Sequence, residues 1–174
     1  MAGRRTQPRF DPYPILEALE REAVTYILIG AFARVLVGAD EVTHGVDLTP
    51  AARADNLRRL DVALDAINAR RPDGSKPALQ TADHTREPVV ELRTDHGEVK
   101  IVSVPDGTRG HDDLRRDAER LPISRGLRPW VASSRDLARM LNALNRAEDL
   151  ETLIMMRRLV ELEHDFHRGR SIER

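Results

Sequence analysis

The sequence predicts an α/β (α+β) fold: a short mixed sheet with packed helices and a helical C-terminal segment. Three observations carry this. Short β-branched runs such as "VTYILIG" (24–30) end in glycine and alternate along the chain with segments of helical spacing. "PVVELRT" and "GEVKIVSVP" flank Asp95-His96, which reads as a hairpin. From Ser134 onward the chain is helical almost to its end, with a break near 145–148.

In order, residues 1–10 are polar and read as a flexible N-terminus. An α/β core follows over 11–133, then a helical segment over 134–169 and a tail over 170–174. Asp11 caps a helix whose apolar face holds Ile15, Leu16 and Leu19. "VTYILIG" is a buried strand, "AFARVLVG" (31–38) a short helix closed by Gly38, and "THGVDLTP" a second strand stopped by Pro50. Leu57, Leu60, Leu64 and Ile67 mark a helix over 49–71, and 72–87 is loop-like. If Asp95 and His96 make a two-residue turn, Glu91 faces Lys100 across the hairpin. "GHDDLRRDAERL" (110–121) reads as a helix and "LRPWVAS" (127–133) as a strand.

Composition narrows the function. The 174 residues carry 28 basic and 29 acidic side chains, a net charge of −1, which argues against a nucleic-acid-coating protein and leaves room for one local basic patch. Only Lys76 and Lys100 of the basic residues are lysine. Cysteine is absent, excluding disulfides, thiolate catalysis and cysteine metal sites. No run is long enough to span a membrane and "MAGRRTQPRF" has no apolar signal region, so a cytoplasmic protein is expected.

"IGAFARVLVGADEVTHGVDL" resembles the signature of the minimal nucleotidyltransferases, especially their AbiEii-type toxin-related branch. Gly30, Ala33, Gly38, Thr43, Asp47 and Leu48 fall in register with it. "GEVKIVSVPDG" is similar to the strand that brings a third carboxylate, and "WVASSRDLARMLNALNRAEDLETL" to the closing helix. The likeness spans roughly residues 10–160 and implies a nucleotidyltransferase-like fold. In that family two aspartates at i and i+2 and a third from a neighbouring strand hold two divalent cations for in-line displacement.

This chain departs from that pattern at the working positions. Gly45 stands for the first aspartate, Lys100 for the third, Ala31 for the second glycine or serine, and Leu141 for a phosphate-binding lysine. Gly30, Thr43, Asp47, Arg146 and Asp149 remain. The resemblance therefore implies a vestigial site: Asp47 without its catalytic partners, and Lys100 set either against Asp47 or against Glu91. Gly30, Ala31, Thr43 and Arg146 are the positions for a nucleotide. The expected function is a catalytically inactive module that binds a protein partner or a nucleotide, with a role beside a toxin–antitoxin or phage-defence system implied by the resemblance. No cofactor is expected. The alternative is a Mg²⁺-dependent enzyme moving NMP from NTP to RNA or protein, with Glu91 or Asp112 as replacement ligands beside Asp47.

Other patterns have plainer readings. Arg146 and Asp149 suit a solvated ion pair, and His164 and His167 a charged tail rather than a metal site. His44 and His111 stand near acids, as histidines often do in so charged a chain. The basic points 3–5 and 167–170 read as solubilising ends. Leu153, Ile154, Met155, Met156, Leu159 and Leu162 give the last helix a wide apolar arc, expected to serve core packing and a protein partner or a homodimer.

Overall fold

The computed structural model describes residues 9–81 and 86–172, the side chains only as far as Gly169. Most of the N-terminal segment, part of the 72–87 loop and the end of the tail, including basic points at 3–5 and Arg170, lie outside the described residues or side chains. Helix α1 (Pro12–Arg21) starts where Asp11 accepts a hydrogen bond from Tyr13 N at 3.1 Å, and buries Ile15, Leu16, Ala18 and Leu19. Strand β1 (Tyr26–Ile29) is buried throughout. Helix α2 (Gly30–Leu36) follows with no intervening loop, and strand β2 (Gly45–Pro50) returns antiparallel to β1.

Helix α3 (Ala54–Ala66) begins later than the periodicity suggests, because Thr49 and Pro50 stay in β2, paired with Ile27 and Tyr26. Buried Asn56 holds it in place: its side chain accepts from Thr25 N at 2.7 Å and donates to Thr25 O and Ala51 O, both at 2.9 Å. The strands β3 (Val89–Thr94) and β4 (Gly97–Val102) form the expected hairpin, with the two residues Asp95 and His96 between them.

Residues 110–121 do not form one helix. Helix α4 (His111–Leu114) ends after one turn, and β5 (Glu119–Arg120) pairs antiparallel with β6 (Trp130–Val131). The open edge of β6 takes up the backbone groups of 119–120, so sheet pairing overrides the local spacing. Helix α5 (Ser134–Leu144) stops at Asn145 in the left-handed conformation, a 3₁₀ turn covers Ala147–Asp149, and α6 (Leu150–Ile172) completes the chain. The expected break is therefore present.

The six strands run β3-β4-β2-β1-β6-β5, with β2/β4 and β1/β6 parallel and the other pairs antiparallel. One continuous core joins α1, α3 and the sheet to Leu137 and Leu141 of α5 and Met156 of α6. Among the described residues no helix is long and apolar enough to cross a membrane.

Candidate functional site

The site strand is β2. Val46 and Leu48 point into the core, so Gly45 and Asp47, one residue out of phase, share the opposite face. Parallel pairing sets Asp47 opposite Lys100 and Gly45 opposite Glu98. The hairpin then sets Lys100 opposite Glu91 and Glu98 opposite Arg93. Two adjacent rungs result, Asp47–Lys100–Glu91 and Gly45–Glu98–Arg93, in which every carboxylate lies across the ladder from or diagonal to a cation.

A cavity of about 280 Å³ opens on these rungs, lined among others by Ala31, Thr43, His44 and Pro72. That is just below the roughly 300–1,000 Å³ typical of ligand pockets. Lys100 forms its ion pair with Glu91 Oε1 at 3.4 Å, so of the two sequence-level partners the hairpin one makes the contact. Asp47 feels the same ammonium across the ladder. Burial pushes the Asp47 carboxyl above the usual carboxylate range, while the charges of Lys100 and, to a lesser extent, Arg34 pull it back down. Arg34 itself is held by Glu41 through two hydrogen bonds, at 2.8 and 2.5 Å.

Two glycines fix the geometry. Gly30 has φ +71°, and a Cβ there would lie 2.8 Å from Asp47 Cγ and closer still to Oδ2. The carboxyl of Asp47 therefore rests directly on the Gly30 backbone. At Gly45 a Cβ would lie 2.8 Å from Glu98 Cβ, 2.9 Å from its carbonyl carbon, and closer still to its carbonyl oxygen. Backbone cannot swing aside as a flexible side-chain tip can. The position where the sequence resemblance places a second carboxylate has no room for a side chain unless Glu98 shifts.

The structure gathers some of the sequence candidates and separates others. Ala31, Thr43, Asp47 and Lys100 line the cavity and Gly30 supports Asp47. The Thr43 hydroxyl is engaged locally, donating to Gly45 O at 3.0 Å. Arg146 is not at the cavity; it pairs with Asp149 at 2.6 Å. Leu141 is buried in the core. Of the two replacement ligands, Glu91 is present but tied to Lys100, and Asp112 lies elsewhere, paired with His111 at 2.9 Å. His164 and His167 border a separate groove. Arg93 and Glu98 were missed by reading residues singly; the same turn that pairs Glu91 with Lys100 pairs them too.

These residues do not fit the two cations that the sequence resemblance implies. Octahedral Mg²⁺ sites need converging oxygen ligands, and here Asp47 faces Lys100, Glu91 is bound to that lysine, Glu98 lies across the ladder from Arg93, and a further carboxylate cannot be placed at Gly45. Among the described residues no group of three His, Asp or Glu side chains is arranged to hold a metal.

Asp47 supplies a pH test. Its folded pKa is raised, so between the ordinary carboxylate pKa and that raised value the folded state binds more protons than the unfolded state. Stability then falls as pH rises through this window, and the penalty persists above it. Asp47→Asn is expected to raise the melting temperature at neutral pH and to flatten its pH dependence in that window, as read by thermal melts from about pH 4 to 7.

No family model matches the chain, and no curated protein sequence matches it significantly. Solved structures do match. A candidate nucleotidyltransferase from Thermotoga maritima superposes with a TM-score of 0.52 at 18% identity, covering 82% of this chain and 88% of that one. The lincosamide antibiotic adenylyltransferase LnuA, with lincomycin bound, gives 0.56 at 15% identity, covering 88% and 98%. At such identities the likeness shows the fold. The chain has a nucleotidyltransferase-like fold, a mixed six-stranded sheet with helices and a long C-terminal helix.

Proposed function

We propose that this nucleotidyltransferase-like protein works by binding and performs no metal-dependent transfer. The observation that carries the reading is the register of Lys100 with Asp47, a cation on the strand where the catalytic pattern needs a carboxylate. The crowding at Gly45 supports it independently. Asp47 is then a vestigial catalytic residue, held by Gly30 and offset by Lys100. No metal or other cofactor takes part.

The charges of the two rungs largely cancel within the ladder, so the cavity offers no strong net positive field for a metal-free triphosphate. This favours a protein partner over a nucleotide at the site. The finer placement, in the AbiEii-type branch and beside a toxin–antitoxin or phage-defence system, rests on the sequence resemblance and is part of the proposal.

The test is a transfer assay with α-phosphate-labelled NTPs, Mg²⁺, and RNA or protein acceptors. The expected result is no incorporation above that of Asp47→Ala. Mg²⁺-dependent incorporation by the wild type that vanishes in Asp47→Ala would instead establish the enzyme reading, with Glu91 released from Lys100.

A further inference from the structure

The cavity on the two rungs is amphipathic, and one of its charges lacks a contact partner. Its lining carries three carboxylates, Asp47, Glu91 and Glu98, against two permanent cations, Arg93 and Lys100. Glu91, Arg93 and Glu98 are exposed and keep their water, and the Lys100 ammonium is in contact with Glu91. Asp47 is the carboxylate withdrawn from solvent. Among the described residues its side chain accepts no hydrogen bond and forms no ion pair; Lys100 and Arg34 act on it through space alone. Leaving a half-buried carboxylate without a donor is costly. The same cavity has an apolar part made by Ala31, Val42 and Pro72, of which Val42 is 80% exposed.

We infer that this cavity receives an arginine side chain of a protein partner, with the guanidinium on Asp47 and the methylene stem along Val42 and Pro72. The lining selects this occupant. A cation is favoured because the unmatched charge is negative, and a donor because an ionised carboxylate offers only acceptor oxygens. A guanidinium is more weakly hydrated than an ammonium, so it gives up less on leaving water for a half-closed site. A small free cation would leave Val42 uncovered, whereas an arginine stem covers apolar surface while its head stays polar. At about 280 Å³ the cavity suits one side chain better than a nucleotide. The inference rests on the proposed function and names the chemistry of its partner.

The experiment is an NMR titration of the isotope-labelled full-length protein with a capped Gly-Arg-Gly peptide, read at the amides of Gly30, Asp47 and Lys100. Expected are saturable shifts there, with a dissociation constant on the order of 1 mM. The same peptide with neutral citrulline or with glutamate in place of arginine should bind at least about tenfold more weakly. Methylguanidinium, which has the charge without the stem, should bind severalfold more weakly. Asp47→Asn, which keeps the shape and is expected to fold more stably, should weaken the arginine peptide at least about tenfold. Val42→Ser, at an exposed position, should weaken it severalfold, and Glu161→Gln on α6 should leave it unchanged. The inference is overturned if the arginine peptide gives no saturable shifts, if any of the three control ligands binds as well, or if Asp47→Asn or Val42→Ser binds as the wild type does. It fails separately from the proposed function: Mg²⁺-dependent incorporation in the transfer assay overturns that reading, and absent peptide binding without incorporation overturns this one alone.

Discussion

Gly45→Asp, the substitution that would place a second carboxylate on the site strand, is expected to destabilise the protein and create no metal site. Its Cβ would meet the Glu98 backbone and Cβ across the parallel β2/β4 ladder, and Glu98 cannot retreat without breaking its pairing with Arg93 on the other side of β4. Overpacking against backbone costs about 3 kcal/mol, and a like charge next to Glu98 adds to it. For a chain of this length that corresponds to a fall of roughly 6–12 °C in melting temperature. Thermal melts with and without Mg²⁺ check both halves. A variant as stable as the wild type, or one stabilised by millimolar Mg²⁺, would show that the strand pair yields and that the metal site is one substitution away.

The second large effect is at Met156. The apolar arc of α6 reads in sequence as a single surface suited to core and partner alike, but the structure divides it. Met156 is completely buried, so it cannot face a partner or a second copy as expected; Leu153, Met155 and Leu159 are partly buried against the core. Leu150, Ile154, Leu162 and Phe166 are the exposed ones. Met156→Asp would bury an unpaired charge and is expected to cost more than about 4 kcal/mol, releasing α6 or unfolding the chain. Leu162→Asp should change stability by less than about 0.5 kcal/mol. Chemical denaturation of the two variants checks the contrast. If the wild type is a homodimer through this helix, Leu162 and Phe166 are the positions at which a charge separates the copies without unfolding them, which light scattering reads directly.

How far the sequence reaches follows from what kind of information each feature needs. The site strand was legible because Val46 and Leu48 alternate with Gly45 and Asp47, and strand periodicity is local. The hairpin was legible because Asp95-His96 followed by Gly97 is turn chemistry, and a turn sets the register of every pair behind it, Glu91 with Lys100 included. Strand β5 was not, since two residues with no apolar pattern become a strand only because β6 has a free edge. Nor was the division of α6: its apolar residues cover too wide an arc for spacing to say which of Met156 and Leu162 faces inward.

The candidate site shows the same boundary. That Gly45 stands where the resemblance places a carboxylate is visible in the sequence; that a side chain there would meet the Glu98 backbone is an inter-strand distance. Arg146 stands three residues before Asp149 and pairs with it, yet the two sit at the 3₁₀ turn between α5 and α6 and neither lines the cavity.

The most direct test of the central claim is calorimetric titration of each NTP into the purified protein, with and without Mg²⁺. A cavity whose carboxylates each lie across the ladder from a cation predicts no heat that depends on Mg²⁺, for any of the nucleotides and equally in Asp47→Ala. Saturable NTP binding that requires Mg²⁺ and disappears in Asp47→Ala would contradict it, and would mean that Asp47 still anchors a working metal site.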